Sequence, residues 1–165
     1  MTDGLPRVGI GFDVHPFTSD STRPLVLGGV TFDGVQGLEG HSDADAVCHA
    51  AADALLGAAG LGDLGQHFPD TDPAWKGANS VALLEEVATR VRAAGFAIGN
   101  VDCTVLAERP KIAPARADME RNLSTAVGAA VSVKATRPEG LGALGRGEGV
   151  SCVAVALVIA TAASA

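Results

Sequence analysis

The stretch VGIGFDVHPF, residues 8–17, predicts a buried β-strand that two polar side chains interrupt. Side chains two residues apart on a strand point to the same face, so Asp13 and His15 should project together while Val14 points into the core. One rigid element could present two metal ligands in this way. An exposed strand end would show the same pattern, so the pair by itself leaves both interpretations open.

The composition predicts one folded domain and argues against nucleic-acid binding. The chain has 165 residues, of which 47% are apolar and 19% are charged, which suits a domain with a hydrophobic core. Its net charge of −7 does not provide the basic face that nucleic acids need. With no tyrosine and one tryptophan, it also lacks a base-stacking surface. If the ligand is anionic, its binding must depend on local groups.

The cysteines and the apolar runs predict a cytoplasmic protein without a membrane segment. Cys48, Cys103 and Cys152 lie far apart and form no CxxC pair, which argues against a disulfide framework or a cysteine zinc site. The longest apolar run, residues 153–163, is too short to span a bilayer and predicts a final strand. Residues 1–9 lack the pattern of a signal peptide.

Strand and helix patterns mix irregularly along the chain, which predicts an α+β fold. We expect a single two-layer domain over residues 1–165, with frayed ends at 1–6 and 162–165. Its mixed sheet should have about four to five strands, with helices on one face. The predicted strands lie near 7–15, 25–32, 96–108, 131–136 and 150–161, and the predicted helices near 43–59, 81–94 and 114–128.

The stretch HSDADAVCH, residues 41–49, leads into the first predicted helix. Ser42 and Asp45 form the S-x-x-D pattern of a capping box, so we assign Asp45 to the helix start. His49 lies two turns into the helix, among small apolar residues, where a histidine is either a hydrogen-bonded core residue or a ligand. Asp53, four residues later, either orients the imidazole of His49 or forms an ordinary helix pair.

Asp13, His15 and His49 together offer one carboxylate and two imidazoles. Zinc accepts such ligands, and catalytic zinc sites leave a fourth position open. The long spacing between His15 and His49 matches no short metal motif, so the residues alone make this site a hypothesis.

Two other stretches favour structural interpretations. Asp63, Asp70 and Asp72 cluster in a loop, where turn formation is favoured over ligand binding. The stretch GLGALG, residues 140–145, fits G-x-G-x-x-G, but the RGEG that follows would break a helix. We therefore assign no dinucleotide site there.

Five stretches, in one order, carry a resemblance to a known family: GFDVH, GHSDADAVCHAAADALLGAAGLGDLG, HFPDTDPAWKGANS, NVDCTVLAERPKI and GRGEG. From about residue 7 to 160 the chain resembles the 2-C-methyl-D-erythritol 2,4-cyclodiphosphate synthases of the non-mevalonate isoprenoid pathway. The resemblance implies one zinc or other divalent ion per subunit, bound by Asp13, His15 and His49. It also implies a second ion, magnesium or manganese, bound by Glu139 together with the diphosphate.

The activity that the resemblance implies is an intramolecular phosphate transfer. The 2-phosphate of 4-diphosphocytidyl-2-C-methyl-D-erythritol 2-phosphate attacks the β-phosphorus, CMP leaves and a cyclic diphosphate forms. Two alternatives belong to other classes: a zinc phosphohydrolase, which would need a general base aimed at a water, and a non-catalytic trimeric binding protein. Retention of both sets of metal ligands speaks against the binding protein.

The resemblance also implies the remaining site residues and a homotrimer with shared sites. Arg146 would line a central cavity, with an isoprenoid diphosphate as a possible ligand. His41 and Thr136 would be catalytic, and we predict the same for Arg137, where the chain departs from the family. Besides Asp13, His15 and Glu139, the substrate would contact His41, Ser42, Asp63, Gly65, Phe68, Asp70, Asp72, Ala107, Pro110, Lys111, Ala113 and Thr136.

One run departs from the family pattern. The family usually has a Thr-Thr-Thr-Glu-type run after Lys-Ala, and this chain has Thr136-Arg137-Pro138-Glu139. We expect Arg137 to take over phosphate neutralisation from the missing threonine, because its guanidinium can make bidentate phosphate contacts. The alternative is that Arg137 points to solvent.

Overall fold

Residues 4–161 are described by a computed structural model, and the α+β prediction is confirmed within them. The predicted fraying of 1–3 and 162–165 lies outside these residues, whereas Pro6 already belongs to the first strand. The strands are β1 (Pro6–Pro16), β2 (Pro24–Leu27), β3 (Val30–Gln36), β4 (Phe96–Leu106), β5 (Ala130–Thr136) and β6 (Gly149–Ala160). The helices are α1 (Ala46–Ala59), α2 (Leu64–His67), α3 (Ser80–Ala93), α4 (Arg116–Val127) and α5 (Gly142–Gly145), with a 3₁₀ turn at Pro73–Trp75.

Four of the strands form one mixed sheet in the order β1-β6-β4-β5. β6 runs antiparallel to both of its neighbours, whereas β4 and β5 are parallel. β2 and β3 form a separate hairpin. Its turn contains Gly28 and Gly29 at φ 57° and 70°, a conformation that favours glycine. The apolar run near the end of the sequence is the central strand β6.

Two glycines let helix α1 lie directly on strand β1. A Cβ at Gly9 would fall 2.1 Å from the carbonyl oxygen of Ala54, and one at Gly11 would fall 1.9 Å from that of Ala50. Backbone therefore packs on backbone, and the side chains that follow on the same face of β1, Asp13 and His15, meet the start of α1. The prediction for Val14 is wrong: it lies on the opposite face and is 49% exposed.

That opposite face of the sheet is apolar and has no cover within the described chain. The side chains of Val8, Ile10 and Phe12 are 65%, 71% and 59% exposed, and Val155 and Ile159 of β6 are 42% and 40% exposed. Such a continuous apolar surface is typical of a protein–protein interface.

The helices cover the other face, as predicted. α1 lies against β1 and β6, α3 packs on α1, and α4 packs on β5. The alanines and leucines of α1 are buried between these layers. Cys48, Cys103 and Cys152 are free and buried. Among the helices of residues 4–161, none has the length and hydropathy needed to cross a membrane.

Candidate metal centre and active site

Asp13, His15 and His49 converge on one point, although one comes from a helix and two come from a strand. His15 Nε2 lies 2.9 Å from Asp13 Oδ2, and His49 Nδ1 lies 3.1 Å from the same oxygen. The two histidine nitrogens are 3.3 Å apart. These residues form a group that could hold a metal ion.

The hydrogen bond made by the outer nitrogen of each imidazole determines the tautomer of the ring. His15 Nδ1 donates to the carbonyl oxygen of Glu39 at 2.7 Å, and a carbonyl can only accept. Ser80 Oγ donates to the carboxylate of Asp43, so it accepts from His49 Nε2 at 2.9 Å. In each neutral imidazole the inner nitrogen is therefore the unprotonated one and faces Asp13, as in metal sites whose ligands are oriented from behind. When an imidazole is protonated, the added hydrogen lies on this inner nitrogen, which then donates to Asp13.

The spacing of the three inner atoms fits a tetrahedral ion. An ion about 2.0–2.1 Å from each atom would hold the atoms about 3.3 Å from one another. The observed separations, from 2.9 to 3.3 Å, require only a small outward adjustment. The donor set of two nitrogens and one carboxylate oxygen suits zinc or a similar divalent ion. The predicted metal ligands are therefore brought together by the fold.

The pKa shifts of Asp13 and His15 show that this cluster stabilises positive charge. Burial acts to raise the pKa of Asp13, but hydrogen bonds from His15 and His49 outweigh it and hold that pKa well below its ordinary value of 3.8. Burial acts to lower the pKa of His15, but the hydrogen bond to Asp13 overcomes it and holds that pKa above 6.5. Asp13 is therefore ionised and draws a proton or a cation toward the two imidazoles.

Asp45 starts helix α1, as predicted, but as the N-cap itself and not as the fourth residue of a capping box. Its Oδ1 accepts from the backbone N–H groups of Val47 and Cys48 at 3.1 and 3.2 Å. The same carboxylate accepts from Gly28 and Gly29 at 2.9 and 2.7 Å, which ties the β2–β3 turn to the helix. The helix start is thus occupied by a buried carboxylate and is not free for a phosphate.

Asp53 is hydrogen-bonded to the next helix and not to His49. Its Oδ1 accepts from the backbone N–H of Leu64 at 2.7 Å, so it anchors the start of α2 and not the imidazole of His49. Burial raises its pKa. Because α1 begins at Ala46, His49 also lies only one turn into the helix.

A cleft of about 570 Å³ opens beside the three metal ligands. Asp53, Leu64 and Trp75 are among its lining residues. Asp63 and Asp72 are instead N-caps of α2 and of the 3₁₀ turn, which confirms the turn interpretation for these two residues. Of the residues predicted for the site, the cleft brings together Asp13, His15, His41, Ser42, His49, Gly65, Phe68 and Asp70.

The other predicted residues lie elsewhere in the chain, at the carboxyl ends of β4 and β5. Thr136 pairs with Leu106 across these parallel strands, and the loops that follow carry Ala107–Ala113 and residues 137–148. Arg137 and Arg146 line a separate concavity there of about 460 Å³. One chain therefore holds the predicted site residues in two separate groups.

A family model described as the YgbB family matches residues 6–159. The chain belongs to the YgbB family. It is 53% identical over 155 residues to the 2-C-methyl-D-erythritol 2,4-cyclodiphosphate synthase of Enterococcus faecalis, with 92% of this chain and 98% of that protein covered. The resemblance found in the sequence is thereby confirmed.

A longer relative and a solved structure complete the comparison. The bifunctional enzyme IspD/IspF of Anaeromyxobacter sp. is 57% identical over 155 residues, and the match covers 92% of this chain and 39% of the relative. The chain thus spans about two fifths of such bifunctional relatives. The structure of IspF from Plasmodium falciparum, a CDP complex, has a TM-score of 0.82 at 33% identity, with 96% and 99% of the two chains covered.

Three side chains of this YgbB-family protein were missed by sequence reasoning. Ser80 and Asp43 orient His49, and Glu108 binds Arg137 through Oε2, at 2.9 Å from Nε. Ser80 follows Asn79 at a helix start, where a serine has an ordinary structural explanation. No short motif connects it to His49.

Proposed function

We propose that this chain converts 4-diphosphocytidyl-2-C-methyl-D-erythritol 2-phosphate into 2-C-methyl-D-erythritol 2,4-cyclodiphosphate and CMP, as a lyase of the non-mevalonate isoprenoid pathway. The observation that carries the proposal is the convergence of three inward-facing ligand atoms, 2.9 to 3.3 Å apart, beside an open cleft. Membership of the YgbB family, and relatives of this name that match over nearly their whole length, support it.

Asp13, His15 and His49 would hold zinc or another divalent ion, and Glu139 would hold a second ion, magnesium or manganese. When bound, such ions supply Lewis acidity and neutralise negative charge on the phosphates. The chain's own contribution is to keep the two neutral imidazoles in the tautomer whose inner nitrogens face Asp13, through the Glu39 carbonyl and the Ser80 hydroxyl.

The cleft residues would fold the substrate into an attack geometry. The attacking phosphate and the phosphorus that it attacks belong to one molecule, so positioning can supply much of the rate enhancement. Gly65, Phe68 and Asp70 line the same cleft as Asp13, His15 and His49. Gly65 would contact the methylerythritol part together with Asp63, and Phe68, Asp70 and Asp72 would belong to a further substrate-binding loop. His41 and Ser42 at the cleft edge would contact phosphate.

The rest of the site would come from a neighbouring subunit of a homotrimer. Thr136, Arg137 and Glu139, and the cytidine-contacting loop with Ala107, Pro110, Lys111 and Ala113, belong to the second group of residues. The uncovered apolar face of the sheet supports assembly, because it needs a partner surface. Arg146 would then line a central cavity able to take an isoprenoid diphosphate.

The setting of the reaction follows the composition. With a net charge of −7, the chain has no general attraction for nucleic acid. Its three buried, free cysteines suit a reducing cytoplasm, where we place the reaction.

Product analysis tests the proposal against its main rival, a zinc phosphohydrolase. The cytidylyl substrate is incubated with the protein, zinc and magnesium, and the products are followed by phosphorus NMR. Cyclic diphosphate with an equal amount of CMP is the expected result, and His49→Ala should abolish it. Linear phosphate products would support hydrolysis, and unchanged substrate would contradict both enzymes.

A further inference from the structure

Glu108 and Arg137 form an ion pair between the loops that follow two parallel strands. Arg137 donates to Glu108 Oε2 from Nε at 2.9 Å, and its Nη2 lies 2.8 Å from the same oxygen. The other carboxylate oxygen, Oε1, accepts from the backbone N–H of Gly140 at 3.0 Å. Glu108 thus uses both oxygens to hold residues 137–140, and we call this arrangement the Glu108 clasp.

The clasp holds a turn with an unusual backbone. The N–H of Leu141 donates to the carbonyl oxygen of Pro138 at 3.0 Å, and both central residues have positive φ, 54° at Glu139 and 77° at Gly140. Such angles are uncommon for a residue other than glycine and persist only where neighbouring contacts hold them. The Glu108 carboxylate is one such contact, because it is the acceptor for the N–H of Gly140.

Three arginines, Arg109, Arg137 and Arg146, line the concavity beside the clasp together with Glu108, and Arg146 is paired with Glu148 at 2.6 Å. A guanidinium has several N–H groups, so one that is bound to a carboxylate along one edge can still bind an anion. The side chain of Arg137 is 67% exposed although Nε and Nη2 are bound to Glu108. Within residues 4–161 its Nη1 has no hydrogen-bond partner, on a side chain whose direction Glu108 already determines. A guanidinium oriented in this way loses less conformational freedom when it binds a phosphate.

We infer that Glu108 is a positioning residue that orients Arg137 and the 138–141 turn for binding of the substrate's diphosphate. The inference rests on the proposed function and deepens it, because it names the residue that orients Arg137 within the run Thr136-Arg137-Pro138-Glu139. A long arginine side chain loses more rotamer freedom on binding than a short one, so an orienting partner favours its contact with phosphate.

A double-mutant cycle tests the clasp on the full-length protein. CDP binding in the presence of magnesium is measured by calorimetry for wild type, Glu108→Ala, Arg137→Thr and the double variant. We expect Glu108→Ala to raise the CDP dissociation constant and the KM roughly fivefold, with kcat changed by less than about twofold. In the Arg137→Thr background the same change should have an effect of about twofold or less. Glu108→Gln, which keeps an acceptor for Gly140, should restore part of the affinity.

Two controls separate positioning from stability. Asp118→Ala removes another exposed ion pair, to Arg121 on α4, and should leave CDP binding unchanged. Amide hydrogen exchange in the ligand-free protein should be faster at Gly140 in Glu108→Ala, with an unchanged melting temperature.

The inference is overturned if Glu108→Ala binds CDP as tightly as wild type, or if its effect is the same in both backgrounds. A wild-type protein that binds CDP but forms no cyclic product would contradict the proposed function. The clasp would then be tested by CDP binding and by amide hydrogen exchange at Gly140.

Discussion

Ser80 Oγ lies 2.9 Å from His49 Nε2, so the first residue of α3 orients a candidate metal ligand carried by α1. Ser80 is buried and donates a hydrogen bond from its hydroxyl to the carboxylate of Asp43. Ser42 Oγ lies 3.1 Å from the same histidine nitrogen. The position of His49 therefore depends on the packing of two helices and on a hydroxyl that contacts only its outer nitrogen.

Ser80→Ala should weaken zinc binding by about 10- to 100-fold, the usual effect of removing a group that orients a metal ligand. The affinity is measured by competition with a chromophoric chelator. Ser80→Thr keeps the hydroxyl and should keep most of the affinity, and the exposed Ser21→Ala should change nothing. His49→Ala should fold, since alanine suits a helix, but should hold no zinc. Zinc affinity in Ser80→Ala equal to that of wild type would show that His49 needs no such support.

Gly11→Ala should destabilise the fold by at least about 2 kcal/mol, because the new methyl group meets backbone and cannot be accommodated by a rotamer change. Its Cβ would lie 1.9 Å from the carbonyl oxygen of Ala50. Gly57→Ala is the control on α1, the helix that carries Ala50, because the atom nearest to its new Cβ would be 3.9 Å away. It should stabilise the protein by up to about 1 kcal/mol through helix propensity. Urea unfolding measures both, and equal effects would mean that α1 and β1 are not in close backbone contact.

The glycines also show how much of the structure could be predicted. The period-two pattern of β1 places Asp13 and His15 together, and the apolar runs give the strands and helices. The pattern does not show which face of β1 the helix covers. In a sequence, a glycine inside a strand indicates weak strand propensity, and it does not show that a helix backbone packs against it. This is why the prediction for Val14 is wrong. One face of β1 is covered by α1 and the other carries exposed apolar side chains, so an apolar residue does not identify the buried face.

The supporting contacts of the site were beyond the reach of sequence reasoning for a different reason. Ser80 lies 31 residues from His49, and Glu108 lies 29 residues from Arg137. Each pair meets only because the elements pack, and each side chain has an ordinary structural explanation in its local context. Residue types with a recognisable chemistry could be predicted, and the groups that orient them could not.

The metal-free protein should be most stable at weakly acidic pH. The pKa of Asp13 is lowered in the folded state, so its stabilisation is present above 3.8 and is lost as the pH falls through the folded value. The pKa of His15 is raised, so its stabilisation is present below 6.5 and is lost as the pH rises through the folded value.

Chelator-treated protein should therefore lose unfolding free energy as the pH is raised from 6.5 toward about 8. Urea titrations at a series of pH values measure this. His15→Gln should remove the decline on the alkaline side, and a decline that persists unchanged in His15→Gln would assign it to other groups.

The apolar face of the sheet should be the contact between subunits. Ile10 lies in the middle of β1, is 71% exposed and pairs with Val155 of β6, so a charge there should prevent assembly without disturbing the core. Light scattering at micromolar concentration should give a trimer for wild type and a monomer for Ile10→Asp. The circular dichroism spectrum of the variant should be unchanged. Thr89→Asp, on the exposed side of α3 in the opposite layer, is the control and should remain a trimer.

Monomeric Ile10→Asp should keep zinc binding but lose turnover, because a complete site would need one group of residues from each of two neighbouring subunits. A monomeric variant with full activity would show that one chain holds the whole site.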